Sequence, residues 1–302
     1  MISRRQVIEH GHSSADCRRK LRRREWAVAA PGVYVNHTGP LTWSQRAWSA
    51  VLGAHPAVLS HQSAIRAAGG PGGEAGPIHV AVAGHRKIVA PRGVVVHYSS
   101  HLDERAMWSS CPPRMRVEDA VLDVAANAPD RLRVVAHLAD AVGARLTTAD
   151  RLLDALRRRT RARHRRFLVA VLADIRDGTH SVLEHEYLAK VERRHGLPTA
   201  RRQAPTGVGR AGYRDADCPE WGLIVELDGR LAHDSAAARD RDLERDLDAV
   251  VDLDRTTLRL GWGQVCGRPC STAAKVARIL RKRGWSGSFR RCPDCPDDPR
   301  SR

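Results

Sequence analysis

The stretch Leu223-Ile224-Val225-Glu226-Leu227-Asp228-Gly229 begins as a buried strand and ends in two acids. A strand covered on both faces reads as an apolar run, so Glu226 and Asp228, two positions apart on one side of it, need a reason to be there. A divalent cation supplies one. Magnesium takes hard oxygen ligands, and two or three carboxylates on adjacent strands suffice to hold it. Once held, it polarises a phosphodiester and lowers the pKa of an attacking water. The plainer alternative is that these acids pair with Arg214, Arg230 and Arg259.

Upstream, a turn-rich loop through Gly207, Gly209 and Gly212 leads to Tyr213-Arg214-Asp215-Ala216-Asp217, where Asp215 or Asp217 offers a further acid. Before that, Ser181 is expected to cap a helix running to about His195, with Leu183, Tyr187, Leu188 and Val191 on one face. Glu184 lies beside that face and is either a core-edge carboxylate met by Arg or a distal metal ligand. Downstream, His233 stands where it can serve as general base or leaving-group donor, or simply as a surface residue. Arg239 to Asp246 alternates bases and acids at helical spacings. Thr256 to Leu260 reads as a strand and Ser271 to Arg283 as a closing helix.

The sequence of these elements, with Glu226-Leu227-Asp228-Gly229-Arg230, His233, the Arg241-Asp242-Leu243-Glu244-Arg245-Asp246 helix, Thr257-Leu258-Arg259 and Gly284-Trp285, resembles the Vsr-like branch of PD-(D/E)XK nucleases. That branch includes a large actinobacterial group of unsettled function. The resemblance covers residues 181–285. It implies an αβββαβ-like core around a mixed sheet, with Asp215 and Glu226 as ligands of magnesium or manganese, Asp228 third and Glu184 accessory. Asp215 is preferred over Asp217 because it follows Tyr213-Arg214 in the manner of the group. Asp228 stands where much of the wider superfamily has Lys, which leaves water activation to His233 or to the metal. Arg230, Arg241 and Arg245 are expected to clamp phosphates.

At the other end, Arg4 to Glu9 and Asp16 to Arg24 read as two helices, with Ser13 and Ser14 available as caps. The second helix carries Arg18, Arg19, Lys20, Arg22, Arg23 and Arg24. Trp26 to Val35 then alternates around Pro31-Gly32 like a wing. Helix, turn, basic helix and wing is the order of a winged helix-turn-helix, with Arg18, Arg19, Arg22 and Arg23 facing DNA; a solvated basic face beside a hairpin is the alternative. Trp43 to Leu59 reads as an amphipathic stretch, and Ser60-His61-Gln62-Ser63-Ala64 opens another helix behind a capping Ser. Strands follow at Ile78 to Val82 and Gly93 to Tyr98, then a periodic helix from Val117 to Ala126. Arg4-Arg5-Gln6, Pro31-Gly32-Val33-Tyr34, the Ser60 to Ala64 run and the Pro112 to Ala126 segment resemble, more weakly, an AbiEi-type antitoxin domain. That resemblance implies DNA as the ligand.

The chain has 302 residues, 51 Lys plus Arg against 34 Asp plus Glu, and a formal charge of +17, which favours polyanionic partners. Only five of the 51 basic residues are Lys, so an Arg-rich composition contributes to the excess. Asp130 to Arg166 is helical in pattern almost throughout, with seven Arg between Arg157 and Arg166. No apolar run reaches the about 18 residues of a membrane span, and Met1 to Glu9 lacks the apolar core of a secretory signal, so the expected compartment is the cytoplasm. Seven cysteines there read as metal ligands or inert thiols before disulfides. Cys266 and Cys270, followed by Cys292 and Cys295, suit a tetrahedral structural zinc. Cys17, Cys111 and Cys218 have no sequence partner.

The expected fold class is therefore an α/β C-terminal domain with a restriction-endonuclease-like mixed sheet, behind an N-terminal α+β region with a winged helix-turn-helix. The expected divisions are 1–38 (winged helix), 39–128 (antitoxin-like α+β), 129–180 (Arg-rich helical linker), 181–285 (nuclease-like) and 286–302 (Cys-containing tail). The expected activity is metal-dependent endonucleolytic cleavage of DNA. Two rivals stand beside it. One is a non-catalytic antitoxin or transcriptional regulator with a degenerate nuclease fold, acting with a toxin partner or as a homodimer. The other is an interaction module without salt-dependent DNA affinity.

Overall fold

A computed structural model describes residues 1–71, 75–205, 213–229, 250–251 and 254–295. The chain divides into two compact units, one of residues 1–127 with 144–163, the other of residues 128–143 with 164–302. Among the described residues no helix is long and apolar enough to cross a membrane.

The first unit opens with β1 (Ile2–Ser3), α1 (Arg4–Glu9), α2 (Ser14–Arg22), β2 (Ala27–Ala30) and β3 (Val33–Val35). Both helices start at capping boxes. Ser3 Oγ accepts the Gln6 N–H, and Ser13 Oγ accepts the Asp16 N–H, while each partner side chain reaches back to the cap backbone. The three strands form an antiparallel sheet in the order β1-β3-β2. Tyr34 of β3 is buried with Val7 and Cys17 from the two helices, and Trp26 stacks on Tyr34 at 5.5 Å between ring centroids.

The remainder of this unit comprises α3 (Trp43–Gly53), β4 (Val58–Leu59), α4 (His61–Ala67), β5 (Ile78–Ala83), β6 (Val94–Ser99), α5 (Leu102–Arg105), β7 (Ala106–Met107), β8 (Arg114–Met115) and α6 (Val117–Ala126). Trp43 to Leu59 is thus not one helix: α3 ends at Gly53, and the chain passes Pro56, which lacks the N–H a helix needs, into β4. Ser60 precedes α4 but makes no side-chain cap; the nearby Ser63 hydroxyl instead accepts the His79 N–H at 2.9 Å. A five-stranded mixed sheet in the order β6-β5-β4-β8-β7 buries Leu59, Val80, Val82 and Met115.

Three further helices, α7 (Arg131–Gly143), α8 (Ala149–Arg158) and α9 (Arg165–Asp177), occupy the Arg-rich stretch. They do not form a separate linker in the contact pattern: α8 belongs to the first unit, α7 and α9 to the second. Helical order breaks between Arg158 and Arg165, where Arg159 turns inward. Its guanidinium, 6 % exposed, bridges Asp119 at 3.0 Å and Asp123 at 2.7 Å. One member of the basic run is therefore a buried structural cation rather than part of a solvated face.

The second unit continues with α10 (Ser181–Tyr187), a π-turn at Leu188–Arg193, β9 (Arg201–Pro205), β10 (Tyr213–Cys218), β11 (Leu223–Asp228), β12 (Thr256–Gly261), a second π-turn at Gly263–Gly267 and α11 (Pro269–Lys282). Its sheet is mixed, in the order β12-β11-β10-β9. Strands β9, β10 and β11 run as an antiparallel meander, and β12 lies parallel to β11. Leu223, Ile224, Val225 and Leu227 are each no more than 2 % exposed, which explains the apolar run. The expected strand and closing helix at the C-terminal end match β12 and α11 within a few residues.

Candidate acidic and thiol sites

Strand β11 carries Glu226 and Asp228 on one side, and the side-chain alternation leaves both half-buried while Val225 and Leu227 are buried. Ala216 pairs with Val225 in the antiparallel register, so Asp215 on β10 comes up against the acid-bearing part of β11. The contact is direct: the Leu227 N–H donates to Asp215 Oδ2 at 2.7 Å. A carboxylate that takes a backbone N–H at a strand position is fixed in orientation as well as charge.

Helix α10 brings Glu184 to the same place. Burial, followed by the negative charge of Asp215, pushes its carboxyl above the ordinary carboxylate range, against the opposing effects of Gln203, Arg202 and His180. The Gln203 side-chain amide from β9 donates to Glu184 Oε1 at 3.3 Å. The start of α10 is not capped by Ser181; Asp174 reaches across instead, its Oδ2 accepting the Val182 N–H at 2.8 Å and its Oδ1 the Thr179 hydroxyl at 3.0 Å.

His180 immediately precedes this helix, and its ring lies over the end of β11. A Cβ at Gly229 would come within 2.3 Å of His180 Nδ1 and 2.9 Å of its Cγ, so only glycine admits the imidazole there. The Gly229 carbonyl is held from the other direction by the indole N–H of buried Trp262, at 3.1 Å. His180 carried no sequence signal, because its placement depends on the small residue that follows Asp228.

Asp217, the rival first acid, lies two residues from Asp215 and is 7 % exposed; its carboxylate is ion-paired with Arg255. Arg259 stands opposite Glu226 in the parallel register, and neither Glu226 nor Asp228 is without a partner. His233, Arg230, Arg241 and Arg245, and the whole Arg239 to Asp246 helix, lie outside the described residues.

Among the described residues, one group of three or more metal-ligating side chains draws its ligand atoms to within 4.8 Å of one another, and it is not the acids but His195, Cys270, Cys292 and Cys295. Such a His/Cys set can bind a metal ion of the zinc type. Three of the four cysteines expected from the spacing are present in it, and Cys266 is not. The Cys266 thiol donates instead to Glu186 Oε2 at 3.8 Å, and burial pushes its pKa up to about 11. The reason is local. Spacing of four would put Cys266 and Cys270 on one helix face, but the π-turn ends at Gly267 and α11 begins only at Pro269, with Arg268 at φ −138° between them.

His195 takes the fourth position from the end of the α10 segment, distant in sequence and invisible to a Cys-spacing argument. Its Nδ1 meets the Arg290 carbonyl at 2.9 Å, and the Arg290 N–H returns a bond to the His195 carbonyl at 2.8 Å. Cys270 Sγ is 3.5 Å from Cys292 Sγ, and Cys295 Sγ 3.8 Å from it.

No family model matches this chain, and no curated protein matches it either.

In the first unit, three histidines that the sequence did not single out as a group are stacked. His61 and His97 lie 3.7 Å apart between ring centroids, and His79 Nδ1 is 3.0 Å from His97 Nε2. Burial first, then the neighbouring rings and Arg159, lowers the His61 pKa to about 3. Burial and His79 lower that of His97 to about 4. His61 and His97 line a cavity of about 290 Å³ with Arg105, Asp123 and Asn127.

On α2, Arg18, Arg19 and Arg22 are exposed, as is Arg23 at its C-terminal cap. Arg19 pairs with Asp16 at 2.7 Å and Arg23 approaches Glu25 at 3.9 Å. Arg18 and Arg22, one helical turn apart on the same face, have no acidic partner among the described residues.

Proposed function

We propose that the chain is a DNA-binding, metal-dependent endonuclease-like protein that hydrolyses phosphodiester bonds in the cytoplasm. The observation that carries this reading is the tie between Asp215 and the Leu227 N–H, which sets one carboxylate beside the strand that bears Glu226 and Asp228. A helix, three antiparallel strands and a fourth strand parallel to the third support it, because that order sets a helix-borne acid and strand-borne acids at one end of a sheet.

The donor set is hard: carboxylate oxygens from Asp215, Glu226 and Asp228, with Glu184 accessory, suit magnesium or manganese. Bound there, such an ion would polarise the scissile phosphate and acidify a water. Glu184 fits the same reading: burial first, and then the Asp215 charge, lift its pKa, and a cation relieves the second of these. Asp215 is held in orientation by Leu227. His180, over Gly229, offers an imidazole for proton transfer at this end of the sheet, beside the general base or leaving-group donor expected of His233. DNA is engaged by the positive charge of the chain and, on α2, by Arg18 and Arg22, with Arg19 and Arg23 beside them. Arg230, Arg241 and Arg245 are proposed to clamp phosphates.

A second reading, a regulator or antitoxin that binds DNA without cutting it, alone with a toxin partner or as a homodimer, is favoured by one observation. The acids are not among the side chains whose ligand atoms converge within 4.8 Å. Incubation of the purified chain with duplex DNA and magnesium or manganese separates the two. Cleavage that is stopped by EDTA and abolished in Glu226→Ala supports the enzyme. Salt-dependent binding with intact DNA supports the regulator.

A further inference from the structure

We infer that His195, Cys270, Cys292 and Cys295 form a closed structural zinc site that staples three segments of the second unit together: the end of the Glu184-bearing helix, the start of α11 and the C-terminal segment at Cys292-Pro293-Asp294-Cys295. Three observations converge on it independently of the nuclease reading.

The first is distance. Zinc-bound thiolates with bonds of about 2.3 Å define a tetrahedron whose sulfur–sulfur edge is about 3.8 Å. The observed separations are 3.5 and 3.8 Å, far beyond the length of a disulfide and close to that edge. The second is an unmatched atom. His195 is 0 % exposed; its Nδ1 is used by the Arg290 carbonyl, and its Nε2 is buried without a hydrogen-bond partner. A buried imidazole with one nitrogen donating to a backbone carbonyl and the other aimed at thiols is the arrangement that orients a metal-ligating histidine.

The third is the turn itself. Cys295 N–H donates to the Cys292 carbonyl at 3.0 Å, and the Cys292 N–H points to Cys295 Sγ at 3.3 Å, so the two-residue spacer presents both sulfurs to one point. Sulfur and imidazole select zinc over magnesium or calcium. Four protein ligands leave no open position, which marks the site as structural rather than catalytic.

The experiment is metal analysis of the full chain purified under reducing conditions, followed by cobalt(II) substitution. One zinc per chain and the intense visible bands of tetrahedral, thiolate-bound cobalt are expected. Cys270→Ser, Cys295→Ser and His195→Ala should each lower zinc content several-fold. His195→Cys should keep zinc with a shifted cobalt spectrum, and Cys266→Ser should keep both unchanged. The cobalt spectrum of the unaltered chain stands as a test even where a variant fails to fold. A chain that carries no zinc and gives no tetrahedral cobalt spectrum overturns the inference. So does loss of zinc in Cys266→Ser equal to that in Cys295→Ser, or a disulfide mapped among Cys270, Cys292 and Cys295 under those conditions.

Discussion

Leu227 donates its backbone N–H to Asp215 Oδ2 across neighbouring strands at 2.7 Å. The bond separates two properties of Asp215, its shape and its charge. Asp215→Asn keeps an oxygen for the N–H while removing the negative charge, so the melting temperature should stay near that of the unaltered chain. Asp215→Ala leaves the N–H unmet, at a cost of about 1–3 kcal/mol if no water replaces the acceptor. Under the nuclease reading both variants lose metal-dependent cleavage. Denaturant titration beside a cleavage assay reads the two effects apart, and full cleavage by Asp215→Asn would remove Asp215 from the site.

Arg159 offers a prediction about stability alone. Its buried guanidinium holds Asp119 and Asp123, and burial keeps the Asp123 carboxyl above its ordinary range even with Arg159 beside it. Arg159→Met leaves two buried acids with less compensation, and the expected loss is about 3–5 kcal/mol in urea unfolding. Arg158→Met, one residue earlier and exposed, should change stability by less than about 0.5 kcal/mol.

The stacked histidines predict a pH dependence. His61 and His97 have folded-state pKa values lowered to about 3 and about 4, against an unfolded value near 6.5. As pH falls below 6.5 the unfolded chain takes up protons that the folded chain refuses. The stability tied to these rings is therefore full above that point and drains away down to about pH 4 for His97 and about pH 3 for His61. A His97→Gln variant should show a shallower decline of melting temperature between pH 7 and pH 4.5 than the unaltered chain, with buffer ionic strength held constant. Equal slopes would contradict the assignment.

The exposed arginines of α2 predict a change in salt dependence. Each phosphate contact contributes about 0.9 to the slope of log affinity against log salt concentration on duplex DNA. Arg18→Ala with Arg22→Ala should therefore flatten the slope by about 2 if both touch phosphate. Fluorescence anisotropy across a salt series measures it. An unchanged slope would leave this face without a role in binding.

Much of the second unit could be read from residue order, and the reason is that its strands are buried. Leu223 to Val225 announces β11 because a short apolar run marks a strand covered on both faces, and Thr256 to Leu260 was legible as a strand, though its parallel pairing was not. The helix starts near the N-terminus were legible as well, since Ser13 and Asp16 interact only with their own neighbours. What escaped depends on contacts between distant segments. Asp174 caps α10 from the preceding helix, His180 finds its place only because Gly229 lacks a side chain, and His195 reaches the thiols through a fold that Cys spacing does not encode. Cys266 shows the converse: a spacing that suits a shared ligand set is undone by a helix that breaks between its two members.

The π-turn at Leu188–Arg193 lies between Glu184 and His195 on a continuous helical path. A π-turn holds one more residue than the α-helix around it, and each residue of an α-helix turns the chain by about 100°. Deleting a single residue from Leu188–Arg193 would leave Glu184 facing Asp215 but swing the imidazole of His195 about a quarter-turn away from the three sulfurs. One wide turn thus acts as a phase adjuster, letting the same rod serve an oxygen-rich address near its start and a sulfur-rich one near its finish.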